Sequence, residues 1–237
     1  MSYHKQLNST NSYAKSLSKE YMHHGMVILT DHQKSGRGRV SRFWFSPPEK
    51  GLTFSLIILP KINIRKSGLF SILSGVAIAE CLIDYDIPAK LKWPNDVMVD
   101  GKKIAGILCE SKISGQLANA VIIGIGLNVN DDPNEYPFDL QNIVTSLQHI
   151  TGTNFRREDI LTNILFHFEE LYKLVTNKQE SILVKKWLSY NQHLGQKITF
   201  HQNEDLISGL FLGITPYGEA IVEINGNQEI IMSGQIL

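Results

Sequence analysis

AKLKWPNDVMVDGKKIAGILCESKISGQLANAVIIGIGLNVN, residues Ala89 to Asn130, decides what kind of sheet this chain builds. Short apolar stretches alternate there with turn residues. Leu91 to Trp93 stops at Pro94, Val97 to Val99 turns at Asp100-Gly101, and Lys103 to Ser111 turns near Ser114-Gly115 into Ala118 to Asn130. The stretch reads as an antiparallel meander.

Toward the N-terminus, Ser67 to Ile83 is apolar nearly all round at helical length, which predicts a central helix packed on that sheet. Leu52 to Leu59 is a buried strand and Val27 to Thr30 another. Between them, residues 31–51 carry Gly36, Gly38, Pro47, Pro48 and Gly51 with little periodicity. Loops of that length inside a compact domain are usually functional. Ser9, Thr10 and Asn11 are N-cap types, and Tyr13, Leu17 and Tyr21 follow at spacing four, predicting a short helix. Toward the C-terminus, Asp131 to Leu140 is a second loop, while Arg157 to Val175 and Ser181 to Tyr190 are amphipathic helices with Ile160, Ile164, Phe168 and Leu171 on one stripe. Lys197 to Phe200, Asp205 to Phe211, Glu219 to Ile224 and Glu229 to Met232 are short strands between Gly or Asn turns, expected to form a small β-barrel. The fold class is therefore α+β, a mixed and largely antiparallel sheet packed with helices, with domains at 1–190 and 191–237.

The chain has 237 residues, with 23 basic residues balancing 23 acidic ones, so no whole-chain field draws it to nucleic acid or an anionic membrane. Any anion site must be local. The longest apolar runs, such as Leu52 to Leu59 and Val121 to Ile125, fall far short of the roughly 18 residues of a membrane helix. Cys81 and Cys109 lie in apolar segments without ligand spacing and read as free thiols. Histidines show no HExxH or Cys/His pattern, and neither a Walker A loop nor a GxSxG elbow occurs.

Gln33-Lys34-Ser35-Gly36-Arg37-Gly38-Arg39 sets guanidinium groups on a glycine-rich backbone, which suits phosphate oxygens as well as it suits a solvated basic loop. Lys92-Trp93-Pro94-Asn95-Asp96 presents an amide and a carboxylate at a strand tip, although a plain turn favours the same residues. Lys103 heads the apolar run Ile104-Ala105-Gly106-Ile107-Leu108. Gly124-Ile125-Gly126 lacks the third glycine of a dinucleotide fingerprint; its glycines either admit a ligand close to the strand or serve packing.

Taken in order, these segments resemble the biotin protein ligases. The pattern runs through Asn8-Ser9-Thr10-Asn11, Gly36-Arg37-Gly38-Arg39, Lys92-Trp93-Pro94-Asn95-Asp96, Lys103 to Leu108, and Gly124-Ile125-Gly126-Leu127-Asn128-Val129. Each motif alone is weak, and the ordered set is specific. The resemblance extends from Leu7 to the C-terminus, where Gly213-Ile214-Thr215 and Gly218 look like the recurrent turn of an SH3-like barrel. It implies that biotin's carboxylate attacks the α-phosphorus of ATP to give biotinyl-5'-AMP, and that a lysine of a biotin carboxyl carrier domain then displaces AMP.

By the same resemblance, Lys103, Arg39 and Arg37 are the catalytic cations. Biotin would meet Ser9, Thr10, Asn11, Gln33, Gly36, Arg37, Gly38, Arg39, Lys103, Gly106, Leu108 and Gly124. The nucleotide would meet Arg39, Trp44, Asn95, Asp96, Lys103 and Asn128. Mg2+ is expected on the ATP phosphates with no protein ligand. The two long loops would act as lids that exclude water from the labile anhydride. A cytoplasmic location is expected, with no nucleic acid or membrane partner and with room for a homodimer. The Thr215 to Glu219 turn is expected to be exposed and to help dock the carrier. Asn8 stands where the family often has Asp, and Val40-Ser41 where it often has Arg-Gly. With no winged-helix segment ahead of Leu7, the resemblance is to the monofunctional members. The competing readings are a lipoate or octanoyl ligase of the same fold, a non-catalytic biotin sensor, and a nucleic-acid-binding module using Arg37, Arg39 and Arg42.

Overall fold

The computed structural model describes residues 1–40, 42–202 and 205–236, so Ser41 and Leu237 lie outside the described residues. From the N-terminus run β1 (Ser2–His4), α1 (Thr10–Ser16), β2 (Met26–Thr30), β3 (Leu52–Ile58), β4 (Ile62–Asn63) and α2 (Leu69–Ile83). The meander follows as β5 (Lys90–Lys92), β6 (Asp96–Val99), β7 (Lys102–Ser114) and β8 (Leu117–Leu127). Then come α3 (Leu147–Thr151), α4 (Arg157–Thr176), α5 (Glu180–Tyr190), β9 (Lys197–Gln202), β10 (Asp205–Ile214), β11 (Ala220–Ile224), β12 (Asn227–Ile231) and β13 (Gln235–Ile236).

The first sheet has the order β1-β2-β3-β8-β7-β6-β5, with β4 on the flank of β8. Its described pairs are antiparallel except β1 with β2. Asp100 (φ 50°) and Gly101 (φ 74°) both take the left-handed conformation that a two-residue hairpin requires. Residue for residue, Gly106 faces Gly126 and Leu108 faces Gly124 across β7 and β8.

The central helix α2 is buried on almost every side, as its composition predicts, between the sheet and helices α4 and α5. Ile160, Ile164, Phe168 and Leu171 of α4 are all buried, so the predicted stripe is the one that faces inward. Phe70, Leu73 and Ile78 are fully enclosed, each worth about 1.5–3 kcal/mol in apolar burial. By length and composition Ile64–Ile83, with a mean hydropathy of 1.5, does reach the membrane-span range, contrary to the reading from the longest apolar runs. It reaches it because basic residues at one end are outweighed by the apolar helix behind them, and 67% of the span is interior. Cys81 and Cys109 are free thiols, and burial pushes both up to about 12.

The C-terminal strands form an antiparallel sheet of order β12-β11-β10-β9-β13. Among the described residues β12 and β13 do not pair, so the expected barrel is an open sheet. The Thr215 to Glu219 turn is exposed at Pro216 alone: Tyr217 and Gly218 are half-buried, and Thr215 and Glu219, at its ends, are only 8% exposed. The reason is packing: Trp93 Nε1 donates to Gly218 O at 3.0 Å, and the Arg65 guanidinium sits 5.1 Å from the Tyr217 ring centroid. Asn191 continues directly from α5, with its Nδ2 donating to Leu91 O at 3.1 Å.

Candidate active site

The Ser9 hydroxyl caps α1 by accepting from Ser12 N, which turns Thr10 and Asn11 inward against β3 and β8. Asn11 can enter because Gly124 has no side chain: a Cβ there would lie 2.4 Å from Asn11 Oδ1. One residue pair along, Trp44 of the first loop lies on Gly126, where a Cβ would stand 2.3 Å from its ring. The adjacent Gly106 would meet Trp44 and Lys103 at 3.1 Å. Packing, one of the two readings left open for these glycines, thus accounts for Gly124 and Gly126: they bed an amide and an indole.

Above this floor is a cavity of about 390 Å³. Ser9, Thr10, Asn11 and Gln33 line one part of its wall; Arg37, Gly38, Arg39 and Trp44 come from the first loop; Asn95, Asp96, Lys103, Gly106, Leu108, Gly124 and Asn128 come from the sheet and its ends. Gly36 is the exception to the predicted lining. It is buried beneath the loop, its carbonyl accepting from Trp44 N at 2.9 Å, and a Cβ there would collide with Trp44 O.

Lys103 Nζ pairs with Asp96 at 2.6 Å and lies 5.6 Å from the Trp44 ring centroid. Its backbone is clamped by the second loop, Lys103 N donating to Ile143 O and Thr145 N to Lys103 O. Asn95 and Asn128 each spend their Nδ2 on a backbone carbonyl, of Ile107 and Thr145 respectively, leaving the amide oxygens available. Burial holds the Arg39 guanidinium below its usual range, against the opposing pull of Asp96. Among the described residues Arg39 has no carboxylate within ion-pair distance, so a desolvated cation faces the cavity unpaired.

Arg37 instead pairs with Glu110, which also accepts from Lys15 and Asn11. Burial raises the Glu110 carboxyl, but those hydrogen bonds and the Arg37 charge outweigh it and hold it below the usual range. Sequence reading did not single out Glu110, which holds Arg37 and is not part of the lining, nor Arg42 and Lys92 as members of this cavity, although Lys92 stands in a quoted motif. Burial lowers the Lys92 ammonium; Lys103 and Arg42 add to that and Asp96 opposes it. The two loops touch each other: Phe45 meets Tyr136 edge to face at 5.0 Å, and Lys50 pairs with Glu135. Val40, at φ 49°, is a β-branched residue in the left-handed region, which costs strain. His, Cys, Asp and Glu do not gather into a metal-binding group among the described residues.

Comparison with known proteins places this geometry. Residues 3–128 match the model of the biotin/lipoate A/B protein ligase family, more than half of the chain. The chain belongs to that family. Residues 193–237 match a second model, the biotin protein ligase C-terminal domain, which assigns the chain to the family's biotin branch. The chain is 34% identical over 235 residues to the bifunctional ligase/repressor BirA of Bacillus subtilis, covering 99% of this chain and 72% of that protein. It is 27% identical to the biotin–[acetyl-CoA-carboxylase] ligase of Paracoccus denitrificans, covering 97% and 96%. Among solved structures it superimposes on the biotin protein ligase of Aquifex aeolicus in complex with biotin and ATP with a TM-score of 0.84, at 29% identity over 99% of this chain and 96% of that one.

Proposed function

We propose that this family member attaches biotin to a lysine of a biotin carboxyl carrier domain, in two steps that consume ATP and pass through biotinyl-5'-AMP. The observation that carries the reading is the division of one cavity into a neutral polar part, Ser9 to Asn11 with Gln33, and a cationic part, Arg39 and Lys103, joined over a glycine floor. A cyclic urea suits the first, and a carboxylate meeting a phosphate suits the second. In the first step the carboxylate oxygen bonds to the α-phosphorus and pyrophosphate leaves. Negative charge gathers on the phosphoryl oxygens, where fixed cations stabilise the transition state more than the ground state.

Lys103 would sit between the carboxylate and the α-phosphate, with Asp96 holding its ammonium in place, and Arg39 would take the adenylate phosphate. Arg37, Gly38, Gly106, Leu108 and Gly124 would bound biotin, and Trp44, Asn95 and Asn128 the nucleotide. Mg2+ would arrive on the ATP phosphates. In the second step the neutral carrier lysine attacks the anhydride carbonyl and AMP departs. Residues 1–190 would act as the catalytic domain and 191–237 as its C-terminal partner, in the cytoplasm and with no nucleic acid in the reaction; a second copy of the chain is compatible with this scheme. The test is mass spectrometry of a purified carrier domain after incubation with this protein, biotin and MgATP. The expected product carries one biotin on its acceptor lysine; modification by lipoate or octanoate and not by biotin would overturn the reading.

A further inference from the structure

Ser55 is the one residue of Leu52–Ile58 whose hydroxyl reaches the cavity's polar residues, and its exposure is 0%. It lies between Phe54 and Leu56, opposite Gly124 on β8. Burying a hydroxyl is costly unless it is satisfied. Ser55 Oγ is satisfied by two short contacts, 2.7 Å to Thr10 Oγ1 and 2.6 Å to Asn11 Oδ1.

A hydroxyl has one proton, and an amide oxygen can only accept. The Ser55 proton therefore goes to Asn11 Oδ1, and the Thr10 hydroxyl supplies the proton for the other contact. Two hydroxyl protons serve three oxygen–oxygen contacts, and this assignment leaves without a proton only the longest, Thr10 Oγ1 to Gln33 Oε1 at 3.2 Å; any other leaves bare a contact of 2.6 or 2.7 Å. Two consequences follow for the cavity wall. Thr10 Oγ1, having donated to Ser55, has only lone pairs left to offer. Gln33, whose Oε1 accepts from Thr10 N at 2.9 Å, has its Nε2 donors left. One acceptor and one donor group side by side complement the N–H and C=O of a cyclic urea. The same bond turns the Asn11 amide so that its Nδ2 faces Leu108 O and Glu110.

We infer that Ser55 is a positioning residue for biotin recognition, fixing from beneath the proton direction of Thr10 and the amide orientation of Asn11. The inference rests on the proposed function and adds to it a residue that does not itself line the cavity. It predicts that Ser55→Ala raises the dissociation constants of biotin and of dethiobiotin, which shares the urea and lacks the thioether ring, by the same factor of about tenfold. The turnover of pyrophosphate exchange at saturating biotin stays within about threefold, and so does the Michaelis constant for ATP. In a double-mutant cycle with Thr10→Val, the Ser55→Ala loss shrinks, because the second change has already removed the hydroxyl through which Ser55 acts.

The experiment is calorimetric titration of the full-length chain and its variants with both ligands, together with exchange kinetics. Ser55→Cys, which is slightly larger and a weaker donor, carries the same comparison if the alanine variant does not fold. Variants that bind both ligands as tightly as the parent, additive losses in the cycle, or a fall in turnover at unchanged biotin affinity would overturn the inference. A parent chain that binds neither ligand would overturn the proposed function instead.

Discussion

At the scale of single residues, charge placement decides the chemistry. Lys103 is held by Asp96 on one side and by Trp44 on the other, so its ammonium needs little reorganisation when charge develops. Lys103→Ala is expected to slow adenylate formation about 100-fold or more, equivalent to ~3 kcal/mol, with Lys92→Ala doing less. Single-turnover formation of biotinyl-5'-AMP measures both, and a larger loss at Lys92 in folded protein contradicts the assignment. Asp131 offers a test of stability. Burial pushes its carboxyl up to about 6 from an ordinary 3.8, against the pull of the Val129 amide and the Tyr136 hydroxyl. Folded protein therefore binds more protons than unfolded protein between those values, so this group's contribution to stability falls as pH rises from 4 to 6 and is constant above. Asp131→Asn should gain on the parent across that window, by on the order of 1–3 kcal/mol at pH 7. Thermal melts at pH 4, 5, 6 and 7 would show it; a difference independent of pH would contradict it.

At the scale of elements, the meander was legible because its information is local: alternating strands end at Pro94, Asp100-Gly101 and Gly115, and the structure turns at each. The long helices were legible for the same reason. Elements whose support is distant were not. β1 is short and polar, and is a strand only because His4 and its neighbours pair with Ile28 to Thr30. The stripe Tyr13, Leu17, Tyr21 suggests a helix through Tyr21, yet α1 ends at Ser16 and Lys19–Tyr21 forms a separate 3-10 turn. Much of the candidate cavity could be read from motif order, whereas Trp44 on its glycines, Glu110 on Arg37 and Phe45 on Tyr136 are contacts between distant parts of the chain. That last pair joins the two loops, so they should retain the adenylate together. Phe45→Ala and Tyr136→Ala should each speed its release, with a coupling of about 0.5–1.5 kcal/mol between them. Filter-binding of labelled adenylate measures the rates, and independent effects would show that the loops act separately.

At the scale of the whole molecule, zero formal charge coexists with a cavity carrying Arg37, Arg39, Arg42, Lys92 and Lys103, so positive charge gathers at the cavity without a whole-chain excess. The C-terminal sheet is tied to that place through Trp93, which lines the cavity and donates to Gly218. Gly218 is at φ 84°, and a Cβ there would stand 2.9 Å from Ile72 Cγ1. Gly218→Ala should therefore cost about 1–3 kcal/mol in urea unfolding and disturb both half-reactions, because this part of the turn is packed. Loss of carrier transfer alone, with stability unchanged, would contradict that placement. The central claim is that one cavity activates biotin with ATP before any carrier arrives. Its most direct test is exchange of labelled pyrophosphate into ATP without acceptor. The account predicts exchange that requires biotin and slows about 100-fold or more in Lys103→Ala; exchange that ignores biotin, or none from folded protein with biotin and MgATP, would contradict it.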